Sequence, residues 1–143
     1  MRTVTTGIDT LAAEPVASRA VWAGRTLGGL AILFLVMDGV MKLVPLQVVI
    51  TTSAQIGWPA DPGLWRLLGV ILLGSTLLHA IPRTSMLGAV LLTGYLGGAV
   101  ASHVRIGSPL FSHVLFGVYL GVMLWGGLWL RDARVRALIP IAR

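Results

Sequence analysis

The sequence predicts an all-α membrane protein, an antiparallel bundle of four transmembrane helices with a short interfacial segment between helices 1 and 2. Of its 143 residues, 56% are hydrophobic and only 11% are charged, whereas about 25% are charged in a soluble domain. The mean hydropathy is +0.88. The chain also contains four apolar runs, each close to the roughly 20 residues that span a bilayer as a helix. These observations exclude an ordinary soluble enzyme, a disordered chain and a coiled coil.

Proline, glycine and capping residues mark the ends of the predicted spans. Pro45 ends the first span because proline cannot continue a helical hydrogen-bond ladder. Asp61-Pro62 and Ser108-Pro109 combine an N-cap residue with a proline at the first helical position, and they begin spans two and four. Gly107 closes the third span. We therefore predict spans at about 21–44, 64–81, 85–104 and 110–130.

These spans form one predicted membrane domain, residues 19–131, between two tails. Residues 1–18 lack the apolar core of a signal peptide and are predicted to be a flexible tail. Residues 132–143 form a second, basic tail. The long connection between spans one and two is predicted to contain a short interfacial helix, because irregular backbone is not tolerated in hydrocarbon.

Basic residues predict the orientation of the bundle in the cell membrane. Four spans place both termini and the turn between spans two and three on one side, with Arg2, Arg19, Arg25, Arg83, Arg131, Arg134, Arg136 and Arg143, against Lys42, Arg66 and Arg105 on the other. The positive-inside rule then places both termini in the cytoplasm. Trp58 and Trp65 are assigned to an interfacial aromatic belt. The net charge of +6 is thus interpreted as topology and not as a nucleic-acid site.

The absence of cysteine excludes disulfides, iron–sulfur ligation and c-type haem attachment. Close packing of helices in lipid needs small residues. Three pairs at the small-xxx-small spacing are predicted to pack the bundle, with a homo-oligomer as the alternative: Gly24 and Gly28, Gly94 and Gly98, and Gly117 and Gly121.

Polar residues within the spans mark the candidate site. Asp38 and Lys42 are one helical turn apart in span one, and this spacing favours an ion pair. His103 and Arg105 end span three, and His113 lies in the first turns of span four. Three helices therefore bring these five residues to one level, toward the outer leaflet. Deeper in the bundle, Tyr95 and Tyr119 are predicted to extend the polar track.

Four interpretations of this cluster remain open at this point. Asp38, His103 and His113 are metal ligands by type, although their spacing matches no tight motif. The two histidines could also ligate a haem. Alternatively, the hydrogen-bonding groups could bind a quinone or a lipid headgroup, or form a structural network. His79 lies apart from the cluster and is interpreted as an interfacial or helix-terminal residue.

Three stretches of the sequence resemble the DoxX-like family of small membrane proteins. They are LFLVMDGVMKLVP in span one, LLTGYLGGAVASHVRIGSPLFSHVLFGVYLG across spans three and four, and WGGLWLRDARVRALIP at the end. Gly97 to Arg105, followed by Pro109 and His113, is the most specific part. The resemblance implies a four-helix membrane bundle. It also implies a link to quinol oxidases, thiosulfate–quinone chemistry or membrane redox complexes, and in distant relatives to assembly chaperones.

The first functional hypothesis is an accessory subunit of a quinone-linked membrane redox system, with the bilayer and other redox subunits as partners. The second is a non-enzymatic scaffold or assembly chaperone. The third is a small enzyme acting on a lipophilic substrate, with His103 or His113 as a base. No nucleophile with a matched base, phosphate-binding loop or paired carboxylates is visible in the sequence, so none of these hypotheses has a specific catalytic signature.

Overall fold

The computed structural model describes residues 18–44, 47–55 and 57–139. Its elements are α1 (Ser18–Leu43), α2 (Gln47–Gln55), α3 (Pro62–Ala80), α4 (Ser85–Arg105), a π-helical turn (Leu110–Val114), α5 (Phe116–Arg131) and α6 (Ala133–Leu138). The described residues contain no strand. The predicted fold class, a four-helix membrane bundle, is confirmed.

Four helical segments are long and apolar enough to cross a membrane: α1, α3, α4, and the π-helical turn together with α5, Leu110–Arg131. Their ends lie within three residues of the predicted ones. Asp61 caps α3 as its motif indicates, with its carboxylate accepting the Gly63 N–H at 2.8 Å. The short helix predicted between spans one and two is α2. The predicted N-terminal tail lies outside the described residues except for Ser18.

The four spans pack as an antiparallel ring in the order α1, α3, α4, α5. Helix α1 packs against α3 and α5, and α4 packs against the same two helices. At the centre lie completely or almost completely buried leucines, Leu35, Leu72, Leu92 and Leu124. The outer faces are equally apolar, with exposed side chains such as Leu33, Leu77 and Val122. A helix that is hydrophobic all round is typical of a membrane span.

Glycines bring the helix backbones together, and of the three predicted pairs only Gly24 and Gly28 do so with both members. A Cβ atom placed on Gly24 would lie 2.6 Å from the Gly127 carbonyl oxygen, so α1 and α5 touch there through their backbones. A Cβ on Gly117 would lie 2.9 Å from Val100 Cγ2 on α4. Three further glycines, absent from the predicted pairs, make similarly close approaches: Gly39, Gly69 and Gly88.

The prediction that Gly94, Gly98 and Gly121 pack the bundle is wrong for contacts within this chain. A Cβ on any of these three would meet no atom within 4 Å. Gly28 differs from these three: a Cβ there would meet only the Arg131 side chain, at 3.9 Å, but its backbone packs against α5, because a Cβ on Gly127 would lie 3.0 Å from the Gly28 nitrogen. The small-xxx-small spacing shows which glycines share a helix face, but it does not show which way that face points.

The two ends of the bundle differ in charge. We call the end that contains the start of α1, the α3–α4 turn and the end of α5 the arginine end. Its described residues include Arg19, Arg25, Arg83, Arg131, Arg134 and Arg136, with Asp132 as the acidic residue. The opposite end, called the cavity end, contains Asp38, Lys42, Asp61, Arg66 and Arg105. That the arginine end faces the cytoplasm remains a prediction from the positive-inside rule.

Candidate functional site

A cavity of about 410 Å³ opens between α1, α3, α4, the π-helical turn and α5 at the cavity end. Its size falls within the range of roughly 300–1,000 Å³ that is typical of small-molecule sites. The cavity brings together five of the seven candidate ligand-binding residues: Asp38, Lys42, Tyr95, His103 and His113. Helices that are distant in sequence therefore converge on one site, as the level of these residues in the spans predicts.

Asp38 and Lys42 form an ion pair at the α1 wall of the cavity. Lys42 Nζ donates to both carboxylate oxygens of Asp38, at 2.5 Å each. The side chain of Lys42 is 15% exposed and that of Asp38 is 36% exposed. The spacing of four residues places the two groups one helical turn apart on the same face. The pair carries no net charge, which lowers the cost of holding it among apolar spans.

The orientation of His103 depends on how α4 ends. Gly107 has φ +66°, a left-handed conformation that glycine adopts without strain. The Gly107 N–H donates to the Val104 carbonyl and the Ser108 N–H donates to the His103 carbonyl, both at 3.0 Å, as in a Schellman motif. This turn brings Ser108 Oγ to 3.0 Å from His103 Nδ1. Nε2 is therefore the ring nitrogen that remains for a ligand.

His113 is held in the same manner from the π-helical turn. Its Nδ1 shares a hydrogen bond with Ser112 Oγ at 2.8 Å. The widened turn at Leu110–Val114 interrupts regular α-helix at this position, and π-helical turns of this kind are frequent at functional sites. The imidazole rings of His103 and His113 meet edge to face, with 5.5 Å between centroids.

Two observations bear on the haem and metal interpretations, the contact between the histidine rings and the arrangement of the possible metal ligands. Because the His103 and His113 rings touch each other, no porphyrin plane fits between them in this arrangement. Within residues 18–44, 47–55 and 57–139, no group of three or more His, Cys, Asp or Glu side chains is arranged to hold a metal ion. The donor set of the cavity is better suited to hydrogen bonding of an organic molecule.

Two tryptophans that the sequence assigns to an interfacial belt line the cavity. Gly57, with φ +72°, ends α2 in a second Schellman-type turn, in which the Trp58 N–H donates to the Ser53 carbonyl at 3.0 Å. The Trp58 indole N–H then donates to Ser102 Oγ at 3.3 Å. Trp65 packs edge-on against Trp58 with ring centroids 6.3 Å apart. Belt positions and cavity positions both lie near span ends, so the sequence alone does not distinguish them.

Trp65 is the most informative of the residues that the sequence analysis missed. Its side chain lines the cavity and the residue is 8% exposed. Its indole Nε1 is buried and has no hydrogen-bond partner within the described part of the chain. A buried donor without an acceptor costs free energy, about 1–3 kcal/mol for a neutral group. An acceptor atom supplied by a ligand would remove that cost.

The inner part of the cavity is apolar. Phe34 contacts Phe116 edge-on with centroids 4.9 Å apart, and Leu35 and Leu120 lie beside them. Gly94 and Gly98 form part of the α4 wall, and the absence of side chains there leaves the space open. These two glycines were predicted to let another helix pack closely against α4. In the structure they instead keep the cavity open.

The other predicted residues lie outside the cavity. Tyr119 is 45% exposed on the outer face of α5, so the prediction that it extends the polar track is wrong. Arg105 lies against the backbone of Gly57 and does not line the cavity. His79 is near the end of α3 as predicted, but it is fully buried against α4, where its Nδ1 is 3.0 Å from the Ser85 carbonyl oxygen.

The cavity therefore has one polar and one apolar part. Imidazole, indole and ammonium groups form the polar part, and phenylalanine and leucine side chains form the rest. Such a site can hold an amphipathic molecule whose head carries hydrogen-bonding oxygens and whose body is apolar. The two serine–histidine pairs combine a hydroxyl with a base at hydrogen-bond distance, but neither Ser108 nor Ser112 lines the cavity.

Comparison with known proteins identifies the family. No curated protein and no solved structure matches the chain. The family model described as the DoxX-like family matches residues 26–127. That range covers more than half of the chain, and it includes α1 from Thr26 onward and every residue that lines the cavity. The protein is a multi-pass membrane protein that belongs to the DoxX-like family.

Proposed function

We propose that the cavity binds a quinone and that the protein serves a membrane redox system as an accessory, quinone-holding subunit. The observation that carries this proposal is the indole N–H of Trp65, a residue of the cavity lining, which is buried and has no acceptor among the described residues. A quinone supplies a carbonyl oxygen as acceptor and an apolar ring and tail for the Phe34 side of the cavity. A purely apolar occupant would leave the Trp65 donor unsatisfied.

The histidine–serine pairs suit a ligand that has two redox forms, one accepting hydrogen bonds through a carbonyl and the other donating them through a hydroxyl. A serine hydroxyl both donates and accepts, so each imidazole can carry its proton on either nitrogen. With the proton on Nε2, His103 or His113 donates to a quinone carbonyl. With the proton on Nδ1, the same Nε2 accepts from a quinol hydroxyl. The site can therefore hydrogen-bond both redox forms without a change in net charge.

The test is the quinone content of protein purified in mild detergent, measured by organic extraction and mass spectrometry. Gly98→Leu fills the cavity wall, whereas Gly97→Leu adds the same side chain at the neighbouring position, which has open space but does not line the cavity. We expect bound quinone in the wild type and in Gly97→Leu, and at least a tenfold loss in Gly98→Leu. Equal retention by both variants, or no quinone in the wild type, would contradict the proposal.

Trp65→Phe tests directly whether the Trp65 indole N–H contributes to quinone binding. One hydrogen bond contributes about 0.5–1.5 kcal/mol net, and about 1.4 kcal/mol corresponds to a tenfold change in affinity. Quinone affinity is therefore expected to fall about two- to tenfold in Trp65→Phe. Trp22→Phe, at an exposed tryptophan of the arginine end, is the control and should leave affinity unchanged.

The scaffold hypothesis makes a different prediction. If the protein instead holds another membrane protein, crosslinking in native membranes should trap one stoichiometric partner. Gly98→Leu and Gly97→Leu should then change the yield of that crosslink to the same extent, because both add a side chain to the exposed surface of α4. The enzyme hypothesis would require turnover of a lipophilic substrate that is lost in His103→Ala or His113→Ala.

A further inference from the structure

A second set of buried polar atoms without partners lies at the arginine end. Within the described part of the chain, Arg131 Nη2 and Arg136 Nε are buried and make no hydrogen bond. Both are N–H donors of guanidinium groups, which are always charged and do not accept hydrogen bonds. Arg134 provides the contrast, since it is exposed and paired with Asp132 at 2.9 Å. Among the described residues, neither Arg131 nor Arg136 forms an ion pair, although the charge of Asp132 acts on Arg131.

The guanidinium of Arg136 is held against the end of α5. Its Nη2 donates to the carbonyl oxygens of Trp129 at 3.4 Å and Leu130 at 3.2 Å. The group also lies over the Trp129 ring, 4.9 Å from the centroid. These contacts fix the position of the guanidinium and leave its Nε buried without a partner. A guanidinium held in this way suits a phosphate, whose oxygens match the planar array of donors.

Positive charge accumulates around this point. Arg131 extends along the bundle toward α1, where its Nη1 would lie 3.9 Å from a Cβ on Gly28. The charges of Asp132 and of Arg25 on α1 both act on Arg131, and that of Asp132 acts more strongly. In the described residues, six arginines against Asp132 give the arginine end a formal charge of +5, because 6 − 1 = 5. An anion bound there would relieve the repulsion between these groups.

An apolar groove begins beside the same residues. It has a volume of about 270 Å³ and is lined by Trp125, Gly126, Trp129, Leu130 and Ile139. The indole N–H of Trp125 donates to Thr93 Oγ1 at 2.9 Å, and that of Trp129 donates to the Ile139 carbonyl at 3.1 Å. Because these donors are satisfied within the protein, the groove presents the apolar faces of its rings. Its occupant is therefore expected to be a hydrocarbon chain.

We propose that the arginine end binds one anionic phospholipid, with its phosphate at Arg136, among the positive charges of the neighbouring arginines, and an acyl chain in the groove. Trp129 and Leu130 belong to both parts of the site, since their carbonyls hold Arg136 and their side chains line the groove. The groove distinguishes a phospholipid from a free phosphate ion. The net positive charge distinguishes an anionic lipid from a zwitterionic one.

The proposal is tested on delipidated full-length protein in detergent, titrated with phosphatidylglycerol or phosphatidylcholine. Lipid adducts are counted by native mass spectrometry, and the melting temperature is followed in parallel. We expect one tight phosphatidylglycerol adduct, bound at least tenfold more tightly than phosphatidylcholine, and a rise in melting temperature. Inorganic phosphate at millimolar concentration is the third ligand and should stabilise far less than phosphatidylglycerol.

Matched variants separate the site from general charge attraction. Arg136→Gln and Arg134→Gln remove the same charge two residues apart, but only Arg136 contacts the end of α5. Arg136→Gln should weaken phosphatidylglycerol binding about tenfold, whereas Arg134→Gln should change it less than twofold. Ile139→Asn alters an exposed groove residue and keeps the test decisive if Arg136→Gln fails to fold. It should weaken binding at least threefold.

Three outcomes would overturn the proposal. The first is equal binding of phosphatidylglycerol and phosphatidylcholine. The second is equal loss of binding in Arg136→Gln and Arg134→Gln, or unchanged binding in Ile139→Asn. The third is full stabilisation by inorganic phosphate with no further effect of phosphatidylglycerol, which would show a free-anion site.

Discussion

Replacing Gly24 by alanine adds one methyl group where α1 and α5 approach most closely. The new Cβ would lie 2.6 Å from the Gly127 carbonyl oxygen, 3.0 Å from Leu130 Cβ and 3.2 Å from the Arg131 nitrogen. Two of these atoms belong to backbone, so a side-chain rotation cannot relieve the contact. A comfortable carbon–oxygen separation is about 3.3 Å, so the two helices must move apart by about 0.7 Å at this point.

The cost follows from that displacement. A radial gap of 0.5–1 Å forfeits about a quarter to a half of the dispersion attraction between the atoms it separates. Insertion of a methyl group into a well-packed core typically costs about 1–3 kcal/mol. The better helix propensity of alanine offsets about 1 kcal/mol of this cost, so we expect Gly24→Ala to lower the free energy of unfolding by up to about 2 kcal/mol.

Gly28→Ala is the matched control, one turn further along the same buried face. A Cβ there would meet only Arg131 Nη1, at 3.9 Å, which is an ordinary contact with the end of a flexible side chain. Alanine also has a helix propensity about 1 kcal/mol more favourable than glycine. Gly28→Ala should therefore leave stability unchanged or raise it by up to about 1 kcal/mol.

The assay is reversible unfolding in mixed micelles with increasing dodecyl sulfate, followed by tryptophan fluorescence and circular dichroism. Because the helix-propensity gain is common to both variants, the predicted difference between Gly24→Ala and Gly28→Ala is the packing cost alone, about 1–3 kcal/mol. If the two variants unfold within about 0.5 kcal/mol of each other, the backbone contact between α1 and α5 does not limit the packing and the reasoning is refuted.

Three further predictions concern the two ends of the bundle. Asp38→Asn should lower the free energy of unfolding by roughly 1–3 kcal/mol, between the values of exposed and buried ion pairs, because it leaves Lys42 without its counter-charge. The double variant Asp38→Asn/Lys42→Met should recover most of that loss in a double-mutant cycle. Additive losses would show that the two side chains are not coupled. Hydrogen bonds from Arg134 hold the pKa of the Asp132 carboxyl below its usual value. Their stabilisation is therefore present above the ordinary aspartate pKa and is lost as the pH falls through the lowered folded-state pKa. Asp132→Asn should flatten the fall of the melting temperature at acidic pH, and an unchanged fall would contradict this assignment. Gly88→Ala forces a Cβ against the backbone of His79 and should lower the free energy of unfolding by about 1–3 kcal/mol or more. Gly94→Ala, in open space, should not lower it. Equal stability of the two variants would refute the close approach of α3 and α4.

Much of the fold can be predicted from the sequence because span boundaries are local properties. Asp61 with Pro62 marks a helix start because its carboxylate satisfies a donor left free at the helix N-terminus. Ser108 with Pro109 also marks where the fourth span starts, but the predicted cap is wrong: Pro109 is the N-cap and the Ser108 hydroxyl pairs with His103. Gly107 marks a helix end because it adopts a left-handed conformation easily. The Asp38–Lys42 pair likewise follows from a spacing of four residues on one helix. None of these features depends on how one helix is rotated against another.

The candidate site could be predicted only in part. The positions of His103 and His113 near the ends of consecutive antiparallel spans already place them at one level, and the structure brings their rings into contact. Tyr119 and Trp65 were misassigned because level alone does not say whether a side chain faces the cavity or the lipid. Trp65 is buried at the cavity and Tyr119 is exposed.

The sequence by itself determined that this is a four-span membrane bundle, where its helices begin and end, and which polar residues share a level. Only the tertiary structure decided which face of each helix turns inward. In a soluble bundle the polar faces would reveal that rotation, but the lipid-facing surface here is as apolar as the core. Hydropathy therefore does not distinguish Gly24, which packs against α5, from Gly98, which keeps the cavity open. That distinction depends on contacts between helices that are distant in sequence.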